Sequence, residues 1–286
     1  MAICHNLQVA DLGFCNREIP ISGVWHQPPS GCRGLLRLPR ASNEGMAGAM
    51  EKNRGMEELP MDEAVRDRLA VALDVDDLVA ATRLARSLAG HFRVAKIGLE
   101  LYTAAGPEAI GAMIDLGYDV FCDLKLHDIP TTVARAARVV GEFGVSYLTI
   151  HAAGGAEMLQ AGAEGLAEGA TRPAGVLAVT VLTSEAEVAA TRDLVADRME
   201  VAFEAGCAGV VCAAPDLTAT RHIRPELIRA VPGIRLAGDS VDDQRRVASP
   251  VQALAAGADL LVVGRPVTRA ADPVEAAERL HRSFRQ

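Results

Sequence analysis

Three charged side chains stand within six residues in Asp123-Leu124-Lys125-Leu126-His127-Asp128. The apolar run Tyr118–Phe121 leads into them as a strand. Ile129-Pro130-Thr131-Thr132 follows as a break and a helix start, with Pro in the first turn and Thr as the cap. Alternation along a strand sends Asp123 and Lys125 the same way, with Asp128 just past the strand end. Burying such a pair costs roughly several kcal/mol of desolvation per ion, so it needs a reason. One reason is structural, an ion pair that pins the strand end. The other is chemical: an ammonium held between two carboxylates keeps its proton near neutrality and can deliver it. The chemical reading is preferred, because strand ends of this kind carry catalysis in barrels.

Strand and helix patterns alternate from Met61 onward. Strands are expected at Arg68–Val75, Val94–Tyr102, the central run after Tyr118, Ser146–His151, Val176–Leu182, Gly209–Ala213, Ile234–Ala237 and Leu260–Val263. Helices are expected at Asp76–Phe92, Pro107–Leu116, Thr132–Phe143, Glu157–Glu168, Glu185–Ala205, around Leu217–Val231, at Pro250–Ala256 and at Pro273–Phe284. Eight such units in about 220 residues predict an α/β fold, a single-domain (β/α)8 TIM barrel spanning residues 61–286. An open doubly wound sheet is the alternative, but Leu73-Asp74-Val75-Asp76 is no glycine-rich phosphate turn.

In a barrel the polar residues at the carboxyl ends of the strands form the site. Asp74 ends the first strand, as a site residue or as a helix cap. Lys96 ends the second, where a lone Lys often snorkels to solvent; its expected partner is Asp123 on the next strand, extending the pair into a Lys–Asp–Lys–Asp array. His151 at the end of the fourth reads as a hydrogen-bonded structural residue. Thr183, after the fifth, could cap the following helix. The loops after strands seven and eight suit a phosphate: Gly264 permits close backbone approach and Arg265 supplies a guanidinium fork, while Gly233-Ile234-Arg235 precedes the strand-seven loop and Asp242-Asp243-Gln244-Arg245-Arg246 ends it.

Asp-x-Lys-x-x-Asp with Ile-Pro-x-Thr resembles the signature of the orotidine 5′-phosphate decarboxylases of the short bacterial type. The wider superfamily shares only Asp-x-Lys-x-x-Asp, so His127-Asp128-Ile129-Pro130 narrows the match. The resemblance spans about Arg68 to Pro273 and includes His151-Ala152-Ala153-Gly154-Gly155 and Leu182-Thr183-Ser184. It implies that Asp74 binds the ribose, Thr183 faces the pyrimidine, and Arg235, Gln244, Gly264 and Arg265 bind phosphate and base. It further implies a homodimer in which Asp128 and Thr132 reach the neighbouring subunit's site. Leu236 stands where the family usually has Pro, and Thr131 where it has Asn. The segment 238–243 is acidic for a loop closing over a phosphate dianion. These departures bear on loop closure, not on reaction type.

The implied reaction converts orotidine 5′-monophosphate to uridine 5′-monophosphate and CO2, the last step of de novo pyrimidine synthesis, with no cofactor and no metal. Loss of CO2 leaves a carbanion at C6 without an electron sink, so the protein must stabilise that charge directly. Lys125 is the preorganised cation and proton donor; Asp123 lies against the departing carboxylate; Lys96 and Asp128 complete the array. A magnesium-dependent sugar-phosphate decarboxylase or synthase of the same superfamily is the alternative. It needs a carboxylate where this chain has Lys96. A phosphate-binding barrel without catalysis would be favoured had Asp123 or Lys125 been lost.

The 286 residues are 50% hydrophobic, ample for one core, and the net charge of −8 argues against nucleic acid or anionic membrane as a partner. No apolar run reaches the roughly 18 residues of a membrane helix. Residues 1–60 hold Trp25, Cys4, Cys15 and Cys32 and clustered Pro and Gly without sustained period, and are expected to be a disordered or non-native extension. The six cysteines show neither metal spacing nor a disulfide framework, which suits a reduced, cytoplasmic interior. Cys122, opposite Asp123 on its strand, is expected to pack under a helix. After Met61 the chain uses twenty-one Arg but only Lys96 and Lys125. Arg is always charged, whereas Lys can be tuned to give up a proton.

Overall fold

The chain is described here from a computed structural model, which covers residues 63–182, 188–236 and 247–285. Residues 1–60, Thr183, Gln244 and the acidic segment 238–243 lie outside the described residues.

Eight parallel strands, β1 (Leu69–Ala72), β2 (Val94–Gly98), β3 (Asp119–Leu126), β4 (Tyr147–His151), β5 (Gly175–Val179), β6 (Gly209–Val211), β7 (Ile228–Val231) and β8 (Leu260–Val263), pair in chain order. The sheet closes where Leu69, Ala70 and Val71 meet Leu261, Val262 and Val263. This is the (β/α)8 barrel expected from the alternating pattern.

The period of 2 divides each strand between two cores. One row packs under the helices, with Val71, Ile97, Cys122, Leu148, Ile150 and Ala178. The other fills the lumen, with Ala70, Ala72, Val94, Phe121, Tyr147, Leu177, Ala230 and Val262. Cys122 is fully buried in the outer row, as expected, and burial pushes its thiol up to about 12, which leaves it an inert apolar filler.

The helices bury short apolar stripes. In the helix Leu78–Leu88, Asp77 caps the amides of Val79 and Ala80, and Ala81, Ala85 and Leu88 face inward. In the helix Pro250–Ala256, Ser249 and Gln252 close a capping box, and Gly257 at φ 111° ends the helix in the left-handed region. Among the described residues no helix is long and apolar enough to cross a membrane.

Several boundaries differ from expectation. The second strand ends at Gly98, not Tyr102, because Leu99–Ala105 forms a helix whose Leu-Glu-Leu-Tyr start only mimics strand alternation. The helix after the central strand starts at Pro130 with Ile129 as its cap residue, not with a Thr cap. Pro130 has no amide to leave orphaned, and the Ile129 N–H is taken by Asp128 Oδ1 at 2.7 Å. The largest error concerns strand seven. It is Ile228–Val231, inside the stretch expected to be helical, while Ile234 makes only an isolated bridge to Ala248. Arg229 hid it: a charge at mid-strand reads as surface. Its guanidinium instead turns back to the carbonyls of Leu227 at 2.9 Å and Ile223 at 2.6 Å and is 3% exposed.

Candidate active site

The lumen rows continue past their last apolar residue into polar ones. Two residues beyond Ala72 is Asp74, beyond Val94 is Lys96, beyond Phe121 is Asp123, and beyond Val262 is Gly264. All four line one cleft of about 390 Å3 at the carboxyl ends of the strands, in the size range of a small-molecule site. Lys125, Arg235, Arg265, Thr268 and Arg269 also line it, with Phe121, Val179, Val181, Leu182 and Pro232 as its apolar wall.

Asp123 is the hub. Its Oδ1 accepts from Lys125 Nζ at 2.8 Å and from Thr149 Oγ1 at 3.0 Å, and its Oδ2 lies 3.6 Å from Lys96 Nζ. Burial alone would raise this carboxyl. The charges of Lys96 and Lys125, with hydrogen bonds from Lys125 and Thr149, outweigh burial and hold it below its ordinary value. An ionised carboxylate at the centre keeps two ammoniums in place.

Lys96 is 9% exposed and reaches a second carboxylate, donating to Asp74 Oδ1 at 3.0 Å. The sequence pairs Lys96 with Asp123 and offers Asp74 as a helix cap or a ribose contact, but not as a partner of Lys96. Gly98 gives this cluster room: a Cβ there would sit 3.1 Å from both Asp74 Oδ1 and Lys96 Nζ.

Lys125 adopts φ 52°, one of two described non-glycine residues with positive φ. Pairing between β3 and β4 runs Cys122 to Leu148 and then Leu126 to Ile150, so three residues of β3 stand across from Thr149 alone. The bulge re-aims Lys125 toward Asp123. Thr149 was missed from the sequence. The signal for it was the period of 2 in β4, which sets Tyr147, Thr149 and His151 on the lumen face.

Asp128 and Thr132 are exposed and do not line the cleft of their own chain. Within one chain the charge array is therefore Asp74–Lys96–Asp123–Lys125, without Asp128. His151 lies beside His127, ring centroids 5.5 Å apart. Burial first, then the positive neighbours His127, Lys125 and Arg198, lower its affinity for a proton against the pull of Asp123.

A family model described as the orotidine 5′-phosphate decarboxylase / HUMPS family matches residues 67–280. The orotidine 5′-phosphate decarboxylase of Moorella thermoacetica is 46% identical over 229 residues, covering 75% of this chain and 91% of that protein. That of Thermobifida fusca is 46% identical over 222 residues, covering 74% of this chain and 93% of its own. Among solved structures, orotidine 5′-phosphate decarboxylase from Lactobacillus acidophilus is similar with a TM-score of 0.66 and 30% identity, covering 77% of this chain and all (100%) of that one.

Proposed function

This chain belongs to the orotidine 5′-phosphate decarboxylase / HUMPS family, and we propose that it decarboxylates orotidine 5′-monophosphate to uridine 5′-monophosphate and CO2. The observation that carries this reading is the Lys96–Asp123–Lys125 cluster in a cleft whose wall on the β7–β8 side bears Arg235, Gly264 and Arg265. In the proposed reaction the bond from C6 to the carboxyl carbon breaks and its electron pair stays on C6. Lys125 Nζ then supplies a proton to that carbon. Asp123 orients Lys125, and Lys96 offsets the charge that Asp123 brings. No cofactor is required. Thr183 and Gln244 complete the pyrimidine and phosphate contacts in this proposal, and Asp74 holds the ribose beside Lys96.

Phosphate binding by Arg235 and Arg265 lies away from C6, so its energy can be used to order the cleft and expel water, raising the rate and not affinity alone. The sugar-phosphate alternative needs a divalent cation held by carboxylates near the end of β2. There the Lys96 ammonium lies 3.0 Å from Asp74 and 3.6 Å from Asp123, where it would repel the metal.

The active form in this proposal is a cytoplasmic homodimer. Asp128 and Thr132, exposed on their own chain beside the 66% exposed Ile129, complete the partner's cleft. Residues 1–60 are an extension that the reaction does not require; the family match starts at residue 67.

The test is loss of ultraviolet absorbance of orotidine 5′-monophosphate with the purified chain in excess EDTA, beside Lys125→Ala. Turnover that needs no metal and disappears in the variant supports the proposal. An inert wild-type chain that becomes active with magnesium on a sugar phosphate would overturn it.

A further inference from the structure

The Thr149 hydroxyl touches both the backbone and, through Asp123, the ammonium of Lys125. Its oxygen accepts the Lys125 N–H at 2.8 Å, and its own proton goes to Asp123 Oδ1 at 3.0 Å. Neither role can be exchanged, because a backbone amide only donates and an ionised carboxylate only accepts. The hydroxyl orientation is therefore fixed by its two partners. Asp123 Oδ1 is the same atom that holds Lys125 Nζ at 2.8 Å. A closed circuit results: Lys125 backbone, Thr149 hydroxyl, Asp123 carboxylate, Lys125 ammonium.

This circuit sits where the chain is least regular. Lys125 has φ 52°, a conformation that costs a non-glycine residue energy and persists only where its surroundings over-determine it. Thr149 is the one β4 residue facing the bulged Asp123–Lys125 segment, and it is fully buried, with 0% exposure. An apolar residue there would leave the Lys125 amide without its partner inside the protein.

We infer that Thr149 is a positioning residue for the decarboxylation proposed above: it holds the β3 bulge so that the Lys125 ammonium stays on Asp123, in line with the reacting carbon. Thr149 is not among the residues lining the cleft, and the hydrogen bonds described for its hydroxyl go to Lys125 and Asp123, not to Arg235 or Arg265. Its effect falls on the chemical step, not on binding.

The test compares Thr149→Val, which keeps the shape and loses the hydroxyl, with Thr149→Ser, which keeps the hydroxyl and loses a methyl. For Val, kcat falls on the order of 100-fold, as for a reacting group displaced by about an ångström, while KM and the affinity for uridine 5′-monophosphate stay within about threefold. Ser recovers most of the loss in kcat. A merely structural Thr149 gives the opposite ranking, Val equal to or better than Ser, or moves kcat and KM together; either result overturns the inference.

A second readout does not depend on turnover. Lysine occurs only at 52, 96 and 125; Lys96 and Lys125 share the Arg-cleaved peptide 94–135, so acetylation is followed at each position by fragmenting that peptide in tandem mass spectrometry. In Thr149→Val, Lys125 reacts about fivefold faster, the equivalent of one ordinary hydrogen bond lost from its hold. Lys96, still held by Asp74, serves as the internal reference and does not change. Unaltered Lys125 labelling would overturn the positioning role. A wild-type chain inert toward orotidine 5′-monophosphate would strike at the reaction assignment, and the labelling would still decide the role of Thr149.

Discussion

Lys96 Nζ donates to Asp74 Oδ1 at 3.0 Å, and through that bond the end of β2 is tied to the end of β1. The same ammonium lies 3.6 Å from Asp123 Oδ2 on β3, so one cation spans three consecutive strands. Gly98 keeps the space in which these groups meet. Its backbone is extended, at φ −89° and ψ −177°, a conformation open to Ala without strain. A methyl there would stand 3.1 Å from both Asp74 Oδ1 and Lys96 Nζ and push both tips by a few tenths of an ångström. Gly98→Ala is therefore expected to fold normally, with a melting temperature within about 3 °C of wild type. Its kcat/KM for orotidine 5′-monophosphate should fall about tenfold. Steady-state kinetics beside thermal melting check this, and unchanged kinetics would mean that the Asp74–Lys96 contact does not matter.

Removing the cation itself has a different signature. Lys96→Ala leaves Asp123 with Lys125 as its only ammonium and takes away a charge that lowers its proton affinity. Turnover should fall by about 100-fold or more, as for other groups that stabilise developing charge. Magnesium should not restore it, since Asp123 still carries the Lys125 ammonium at 2.8 Å. Kinetics with and without added magnesium measure both effects.

Acid should weaken the fold in two ranges. His151 binds its proton less readily than an ordinary His, chiefly through burial and then through His127 and Lys125. Its folded-state value lies below its unfolded value near 6.5, so between the two the unfolded chain holds the extra proton. Stability is full above about pH 6.5 and is lost as pH falls through the folded value. Asp123 has a folded-state value below 3.8, so its contribution is present above pH 3.8 and is lost only as pH falls further. His151→Asn should flatten the upper range and leave the lower one. His91, whose proton affinity burial also lowers, keeps part of the upper slope. Melting temperature followed from pH 8 to pH 3 reads the upper range and the onset of the lower one.

How much of this was visible in the sequence depended on how far each residue's role is local. The helix Pro250–Ala256 and the strand β8 after it could be read to the residue, because Ser249, Pro250 and Gly257 mark the ends of a helix by short-range rules. Lys96, Asp123 and Lys125 could be identified because charges at the ends of apolar strands stand out against the buried-strand pattern. Arg229 shows the limit. Two of its guanidinium nitrogens turn back to carbonyls of the preceding turn, so polarity concealed a strand that backbone pairing then formed. Thr149 and the left-handed Lys125 were illegible for another reason: both follow from the register of β4 against β3, a relation between chain segments that neither encodes alone. Asp74 was found, but its bond to Lys96 was not, for the same reason.

The helix pair behind this site tests packing separately from chemistry. In the helix Gly155–Gly169, a Cβ on Gly165 would lie 2.2 Å from the carbonyl oxygen of Ala134 in the helix Pro130–Glu142. Backbone cannot move aside as a side-chain tip can. Gly165→Ala must part the helices and is expected to cost about 1–3 kcal/mol. Denaturant unfolding should show a lower midpoint with an unchanged slope, and kcat of the folded fraction should hold, since Gly165 does not line the cleft.

Mixing two inactive variants tests the shared site. Asp128 precedes the helix Pro130–Glu142 and Thr132 lies in its first turn, but neither lines its own chain's cleft, and Asp128 Oδ1 accepts only the neighbouring Ile129 N–H among the hydrogen bonds described for it. If Asp128 serves the partner's cleft, Lys125→Ala and Asp128→Ala each abolish or severely reduce activity alone, for different reasons. In a hybrid dimer one cleft carries both defects, while the other takes Lys125 from the Asp128→Ala chain and Asp128 from the Lys125→Ala chain and is intact. Random re-association makes half of the dimers hybrid, each with one intact cleft, so about one quarter of wild-type activity should return. The recovered activity should rise with the square of protein concentration below the dimer dissociation constant, which sedimentation at the same concentrations can establish. Activity that stays at the sum of the two parents would mean that Asp128 acts within its own chain, and the contact missing from the single-chain geometry would then have to come from movement of the segment 127–130.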